Sequence, residues 1–268
     1  MVRASFLLII AGAGVACGGG GGFPDARPPD AAPKGTFSLA WSVVDPNNQP
    51  LACERIAAQT MTVLTHNLAF EGGSTQIFNC DTGMGMSEPI LTGTYELDFE
   101  LRGASGLLAR APKQTGIVIE ENRNTELAPL TFVVVPAGNV ALGLASGKPG
   151  GNCGATNAGG AGIEQVSITL QHADSSCEPA TLAISAGATR PAGSYTINCA
   201  APPLVGCIEA DQVISGANLP SDAYTIHVSG LIGGKVCWAN NDGIQVPGAG
   251  NTLTRTLNLG PTGVSGCP

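Results

Sequence analysis

Charge and aromatic surface are what this sequence has least of: 12% of its 268 residues are charged and 4% aromatic, with two Trp, three Tyr and three His. So few aromatic rings leave little on which a sugar could stack. Twelve Lys and Arg against twenty Asp and Glu, a net charge of −8, cannot build the basic stripe that a phosphate backbone requires. The shortage runs the length of the chain, with five Lys/Arg against eleven Asp/Glu over residues 35–137 and four against seven over residues 138–268. Nucleic acid is therefore excluded as an expected partner. Also missing are an apolar run of the roughly 20 residues a spanning helix needs, the Cys-x2-Cys pairs of zinc sites, the Gly-x-Ser-x-Gly and His-Glu-x-x-His signatures of hydrolases, and the 3.6-residue apolar period of amphipathic helices.

The amino terminus, by contrast, carries a clear pattern. Arg3 supplies one positive charge, and an uncharged apolar run over residues 6–13 follows. This order marks residues 1–16 as a signal peptide. Small residues Gly14-Val15-Ala16 then precede Cys17, an order that resembles the lipobox of bacterial lipoproteins, with Gly14 where that family has an aliphatic residue. The resemblance implies cleavage before Cys17, a lipid on its sulfur, and a membrane partner reached through that anchor. Ordinary cleavage after Ala16, giving a soluble exported chain, is the alternative. Gly18 stands where an aspartate would retain such a lipoprotein on the inner membrane, so the resemblance implies the outer membrane, facing the periplasm or the surface. Five glycines at 18–22 and Pro24, Pro28, Pro29 and Pro33 leave residues 17–34 no apolar surface to bury. They are expected to form a disordered tether reaching at most about 55 Å.

Beyond the tether, short alternating runs are separated by Gly, Pro and Asn, the pattern of half-buried strands. Tyr95-Glu96-Leu97-Asp98-Phe99-Glu100-Leu101 is the clearest, with its four apolar residues on one face. The runs also recur in the same order twice. Phe37 to Val44 corresponds to Val140 to Ala145, each followed by a cysteine, Cys53 or Cys153. Met61 to Thr65 corresponds to Val166 to Leu170, Ile77 to Cys80 to Thr196 to Cys199, Leu91 to Leu97 to Leu219 to Ile226, and Thr115 to Val118 to Asp242 to Gln245. Tandem copies are expected over residues 35–137 and 138–268, each an antiparallel β-sandwich of about seven strands. Gly93-Thr94-Tyr95-Glu96-Leu97 resembles a late strand of transthyretin-like and carboxypeptidase-regulatory-like sandwiches, which implies a buried tyrosine. The fold class is thus all-β, two Ig-like or transthyretin-like sandwiches, and such folds do not settle an activity.

With Cys17 set aside, two cysteines fall in the first copy and six in the second, the even counts of a disulfide framework in an exported protein. The repeat gives Cys53–Cys80 and, by position, Cys153–Cys199. Cys177 and Cys207 lie in segments the first copy lacks, which favours Cys177–Cys207 and leaves Cys237–Cys267. Other pairings of the last four remain open.

Candidate chemistry is sparse. Gly147-Lys148 lacks the upstream glycine and the following Ser or Thr of a phosphate loop. Asn240, Asp242 and Gly243 match three positions of a calcium loop, but Trp238 and Ala249 occupy two others, and Asp242-Gly243 reads as a hairpin turn. His66, His172 and His227 have no ligand spacing and are expected to face solvent. Trp41 and Trp238 are expected to be buried. Glu96, Asp98 and Glu100 share a strand face about 7 Å apart, a candidate row for Ca²⁺ and otherwise a charged face that keeps the sheet from pairing with another molecule. No cofactor and no catalytic residue is expected. The sequence reads as a membrane-anchored, non-enzymatic structural or interaction module of the cell envelope, with a Ca²⁺- or glycan-binding module as the alternative.

Overall fold

The computed structural model describes residues 32–70 and 72–268. The expected signal peptide, Cys17 and most of the expected tether lie outside the described residues. The remainder is all-β, and its helical turns are three short 3-10 segments, Glu54–Ile56, Cys80–Thr82 and Thr156–Ala158. The first sandwich holds β1 (Lys34–Val44), β2 (Ala58–Asn67), β3 (Gly73–Asn79), β4 (Met84–Met86), β5 (Ile90–Leu91), β6 (Gly93–Gly103), β7 (Gly106–Ile119), β8 (Asn124–Glu126) and β9 (Leu130–Val133). The second holds β10 (Ala137–Ala145), β11 (Gln165–His172), β12 (Thr181–Ile184), β13 (Gly193–Thr196), β14 (Val205–Gly206), β15 (Ile214–Pro220), β16 (Ala223–Ile232), β17 (Lys235–Gln245), β18 (Thr252–Asn258) and β19 (Gly260–Pro261).

In the first sandwich, β3-β2-β6-β7 packs against a sheet in which β1 carries β4 and β5 on one edge and β8 and β9 on the other. In the second, β14-β11-β16-β17-β19 faces β13-β12-β15-β10-β18. Alternation along each strand sends one set of side chains into the space between sheets. Phe37, Leu39, Trp41 and Val43 of β1 thus meet Met61 and Val63 of β2 and Tyr95, Leu97, Phe99 and Leu101 of β6 in one buried cluster. A second cluster gathers Val140, Leu142 and Leu144 with Ile168, Ile226, Val228 and Trp238. Both tryptophans are buried, and each indole N–H donates to a carbonyl, Trp41 to Cys80 and Trp238 to Ala161, both at 3.0 Å.

The sheets are not purely antiparallel. β8 and β9 run parallel to β1, and β18 runs parallel to β10. Strand parity explains this. Counting β4/β5 and β8/β9 as one strand each, the first sandwich has seven strands that reverse direction at every connection, so the first and last point the same way. The extra hairpin β12-β13 adds two strands to the second sandwich and leaves the parity unchanged.

Superposing the two ladders gives the equivalences directly. Met61 pairs with Phe78 and Leu101, and Val166 pairs with Val205 and Gly230, so β3 corresponds to β14 and Cys80, two residues past Phe78, to Cys207. The disulfides follow: Cys53–Cys80 with Cα atoms 6.0 Å apart, Cys153–Cys207 at 5.7 Å, Cys177–Cys199 at 5.8 Å and Cys237–Cys267 at 5.3 Å. The expected Cys153–Cys199 and Cys177–Cys207 bridges are therefore corrected. The duplicated bridge is Cys153–Cys207, and Cys177–Cys199 closes the β12-β13 insert on itself. The Asp242-Gly243 turn is corrected as well. Both residues lie within β17, opposite Ile226 and Thr225, and the chain reverses instead at Gly233-Gly234, which hold φ of 55° and 76°, a conformation glycine adopts without a Cβ clash.

The loop after β17 joins the two sandwiches. Gly248 N–H donates to Ile56 O at 3.0 Å and Ala249 N–H to Val135 O at 2.8 Å. Asn251 Nδ2 donates to Leu107 O at 3.0 Å, and Gln245 Nε2 to Glu54 O at 3.1 Å. A Cβ on Gly248 would stand 3.1 Å from both Ile56 and Val134.

Candidate functional site

The acidic row on β6 stands on one strand face, as its period of two dictates, but each member already has basic partners. Glu96 accepts from Lys113 Nζ at 3.2 Å, and Asp98 lies 3.4 Å from the same ammonium and 3.5 Å from His66 Nε2. Glu100 is 4% exposed. Arg102 donates to it at 2.6 Å and Arg110 at 2.9 Å. Burial alone would raise the Glu100 pKa, and the hydrogen bonds from Arg110 and Arg102 outweigh it, holding the carboxyl below its ordinary range. The row is an ion-pair ladder across β2, β6 and β7. Two corrections follow: Glu100 is covered by guanidinium groups, not solvated, and the carboxylates point at these cations, not toward a shared vacant centre. Among the described residues no group of three or more His, Cys, Asp or Glu side chains is arranged to hold a metal ion.

The histidines divide in the structure. His66 is largely exposed. His227 bonds to Asn241 Oδ1 at 2.8 Å and Gln171 Oε1 at 3.1 Å on the uncharged outer face of the second sandwich. His172, also expected to face solvent, is instead half-buried at the end of β11. Its Nδ1 lies 3.0 Å from Asp222, its Nε2 3.0 Å from Glu178, and its ring 4.6 Å from that of Tyr224. Desolvation lowers the His172 pKa, and the hydrogen bonds to Glu178 and Asp222 more than offset this, so the net shift is upward. Pairing with Tyr224 puts His172 where Asn67 pairs with Tyr95 in the first sandwich, so the cluster is specific to the second copy. One carboxylate on each side of the ring makes it a clip between the insert and the start of β16. Sequence reasoning missed it because Glu178 and Asp222 are 44 residues apart and become neighbours only through the sheet.

Tyr95 and Tyr224 have matching roles. Tyr95 Oη donates to Leu91 O at 2.8 Å and Tyr224 Oη to Pro220 O at 2.9 Å, each pinning the turn before its strand. Between the sandwiches lies an open cleft of about 780 Å³ lined by Glu54, Arg55, Gln59, Asp222, Gln245 and Thr254 among others. Its charged groups, Glu54, Arg55 and Asp222, are of both signs. Among the described residues no helix is long and apolar enough to cross a membrane.

No protein-family model matches the sequence, and no curated protein is similar to it at a significant level. Solved structures do show likeness. A leucine-rich repeat protein from Bacteroides thetaiotaomicron is 16% identical, with 85% of this chain and 26% of that one covered and a TM-score of 0.26. The Bacillus anthracis TIE protein is 10% identical, with 85% and 34% covered and a TM-score of 0.32. Shaft pilin spaA from Lactobacillus rhamnosus GG is 8% identical, with 86% and 99% covered and a TM-score of 0.27. The chain thus spans about a quarter and a third of the length of the first two. Scores this low carry no argument about function, and the fold rests on the strand ladders themselves.

Proposed function

We propose that this chain is a lipid-anchored, non-enzymatic module of the bacterial cell envelope that holds a two-sandwich body near a membrane for structural or interaction purposes. The observation that carries the reading is the cysteine arrangement. All eight cysteines of the described residues are in disulfides, the state of an oxidising compartment, and the ninth is Cys17 behind an apolar leader. The titratable side chains support it, since the acidic row and His172 are spent on internal ion pairs that stiffen the sheets. A tether of residues 17–34 would leave the body free of the bilayer surface while confined to it, facing either the periplasm or the exterior from the outer membrane.

Replacing Cys17 with Ala tests the anchor. The variant should leave the membrane fraction for the soluble one while its disulfides form unchanged, because the lipid site and the folded body are separated in sequence. Continued sedimentation with membranes would refute the anchor.

A further inference from the structure

We propose that Met84, Met86 and Glu126 form a binding site for a soft monovalent cation, Cu(I) or Ag(I), on the outer face of the first sandwich. Met84 and Met86 stand two apart on β4, so both thioethers rise from the same face, and they are 69% and 63% exposed. The register sets Met84 beside Ala40 and Met86 beside Ser38, and Glu126 of β8 pairs with Ser38 from the opposite side. Strands about 4.8 Å apart put the Met86 and Glu126 backbones about 10 Å from each other, with the small Ser38 side chain between them as a floor. The three side chains border one depression of about 450 Å³.

The donor chemistry selects the ion, because thioether sulfur is a soft ligand that favours Cu(I) over the hard and borderline cations. Every cysteine of the described residues is closed in a disulfide and Met61 is 0% exposed, so among these residues the two thioethers on β4 are the soft donors open to solvent. The salt bridges of the described residues leave Glu126 without a cationic partner, and its carboxylate supplies the charge that a monovalent cation between two neutral sulfurs needs. The fold does not require methionine here. Gly85 and Met86 of β4 correspond to Ile214 and Ser215 of β15, which pair edge to edge with β12, so the second sandwich adds a strand along the edge that the first leaves to two exposed thioethers. The site is independent of the anchor.

Silver(I) is the redox-silent probe. The full chain carrying Cys17→Ala, which removes the one thiol outside the disulfides, is titrated by calorimetry and by methionine-methyl NMR. One Ag(I) should bind per chain, shifting the methyl resonances of Met84 and Met86 and leaving that of the buried Met61 in place. Met84→Leu/Met86→Leu should weaken binding by about tenfold or more, and Glu126→Gln by a smaller factor. Both sets of side chains are exposed, so unchanged disulfides and circular dichroism certify the fold of each variant. Silent methyl resonances, or an affinity unchanged in either variant, would overturn the site.

Discussion

If Cys153–Cys207 is the duplicated bridge and Cys177–Cys199 a clasp on an insert, removing them should have effects of similar size and different reach. Cys153–Cys207 spans 54 residues and Cys177–Cys199 spans 22. On a chain-entropy basis these closures contribute about 4 and about 3.5 kcal/mol. The smaller loop is nested in the larger, so while it is closed the outer bridge constrains only about 32 residues and its contribution falls slightly, to about 3.7 kcal/mol. Cys177→Ser/Cys199→Ser should release β12 and β13 from β15, seen as loss of amide protection there, with β10, β11, β16 and β17 still protected. Cys153→Ser/Cys207→Ser should lower the denaturation midpoint of the whole second sandwich. Both pairs removed together cost about 7 kcal/mol, a large part of the 5 to 15 kcal/mol that stabilises an ordinary domain.

The pairing can be read directly. In unreduced, denatured protein, cleavage at Glu164 or Asp174 separates Cys153 from Cys177, and a chymotryptic cut after Leu182 or Tyr195 separates Cys177 from Cys199. A cut after the half-exposed Leu204 separates Cys199 from Cys207. The expected disulfide-linked peptides then join 153 with 207 and 177 with 199. A peptide joining Cys153 to Cys199 would refute the equivalence of β3 with β14 on which the whole account of the repeat rests.

Two further outcomes follow from the packing. His172 is flanked by Glu178, Asp222 and, more distantly, Asp174, and packs at a tilt against Tyr224; its folded pKa is raised. The stability it contributes is therefore complete below its unfolded pKa of about 6.5 and is lost as pH rises through the higher folded value. His172→Gln should flatten that part of the stability profile measured by denaturant titration, and an unchanged slope would show that the clip is not a source of stability. At the junction, Gly248→Val puts branched carbon against Ile56 and Val134, and the overpacking should cost about 1 to 3 kcal/mol. It should also separate a joint melting transition into two in calorimetry. A variant that melts as the parent does would mean that the loop after β17 does not couple the sandwiches.

Much of the architecture was legible because strand alternation is a local signal. Tyr95, Leu97, Phe99 and Leu101 announce a buried face in seven residues, and the same spacing set out the acidic row on the opposite face. What alternation cannot report is how the opposite face is covered. Glu100 is buried because Arg102 follows two residues later on the same strand and Arg110 stands across the ladder on β7, a register that only the hairpin at Gly103 and Gly106 determines. His172 was hidden for the same reason, since its two carboxylates arrive from separate connections. One signal of the repeat was present and unused. Gly35 and Gly138 each lie where a Cβ would strike a carbonyl, that of Glu120 or Pro247, at about 2 Å, so both copies require glycine just inside their first strand.

The mistaken cysteine pairing has a physical cause that also explains how the two copies differ. Matching Asn79-Cys80 to Asn198-Cys199 is sound as sequence similarity, but it places an insert after the strand equivalent to β3 when the insert in fact comes before it. The chain leaves β11, crosses to the other sheet as β12 and β13, and returns only at β14 to pair with β11. A two-strand excursion is the smallest insertion that lets every later strand keep its direction, which is why the parallel closure of β18 on β10 survives it. The excursion adds β12 and β13 along β15, so the sheet's edge passes from the position that β4 holds in the first copy to the four-residue β13, and a short edge strand is one way of limiting pairing with another chain. With its ends brought together by Cys177–Cys199 and tied to Asp222 through His172, the hairpin is held by a bridge and a charge pair that the first copy has no use for. The second sandwich uses the Cys177–Cys199 bridge and its half-buried histidine to hold two further strands over that position, whereas the first leaves the corresponding edge, with Met84 and Met86, open to solvent.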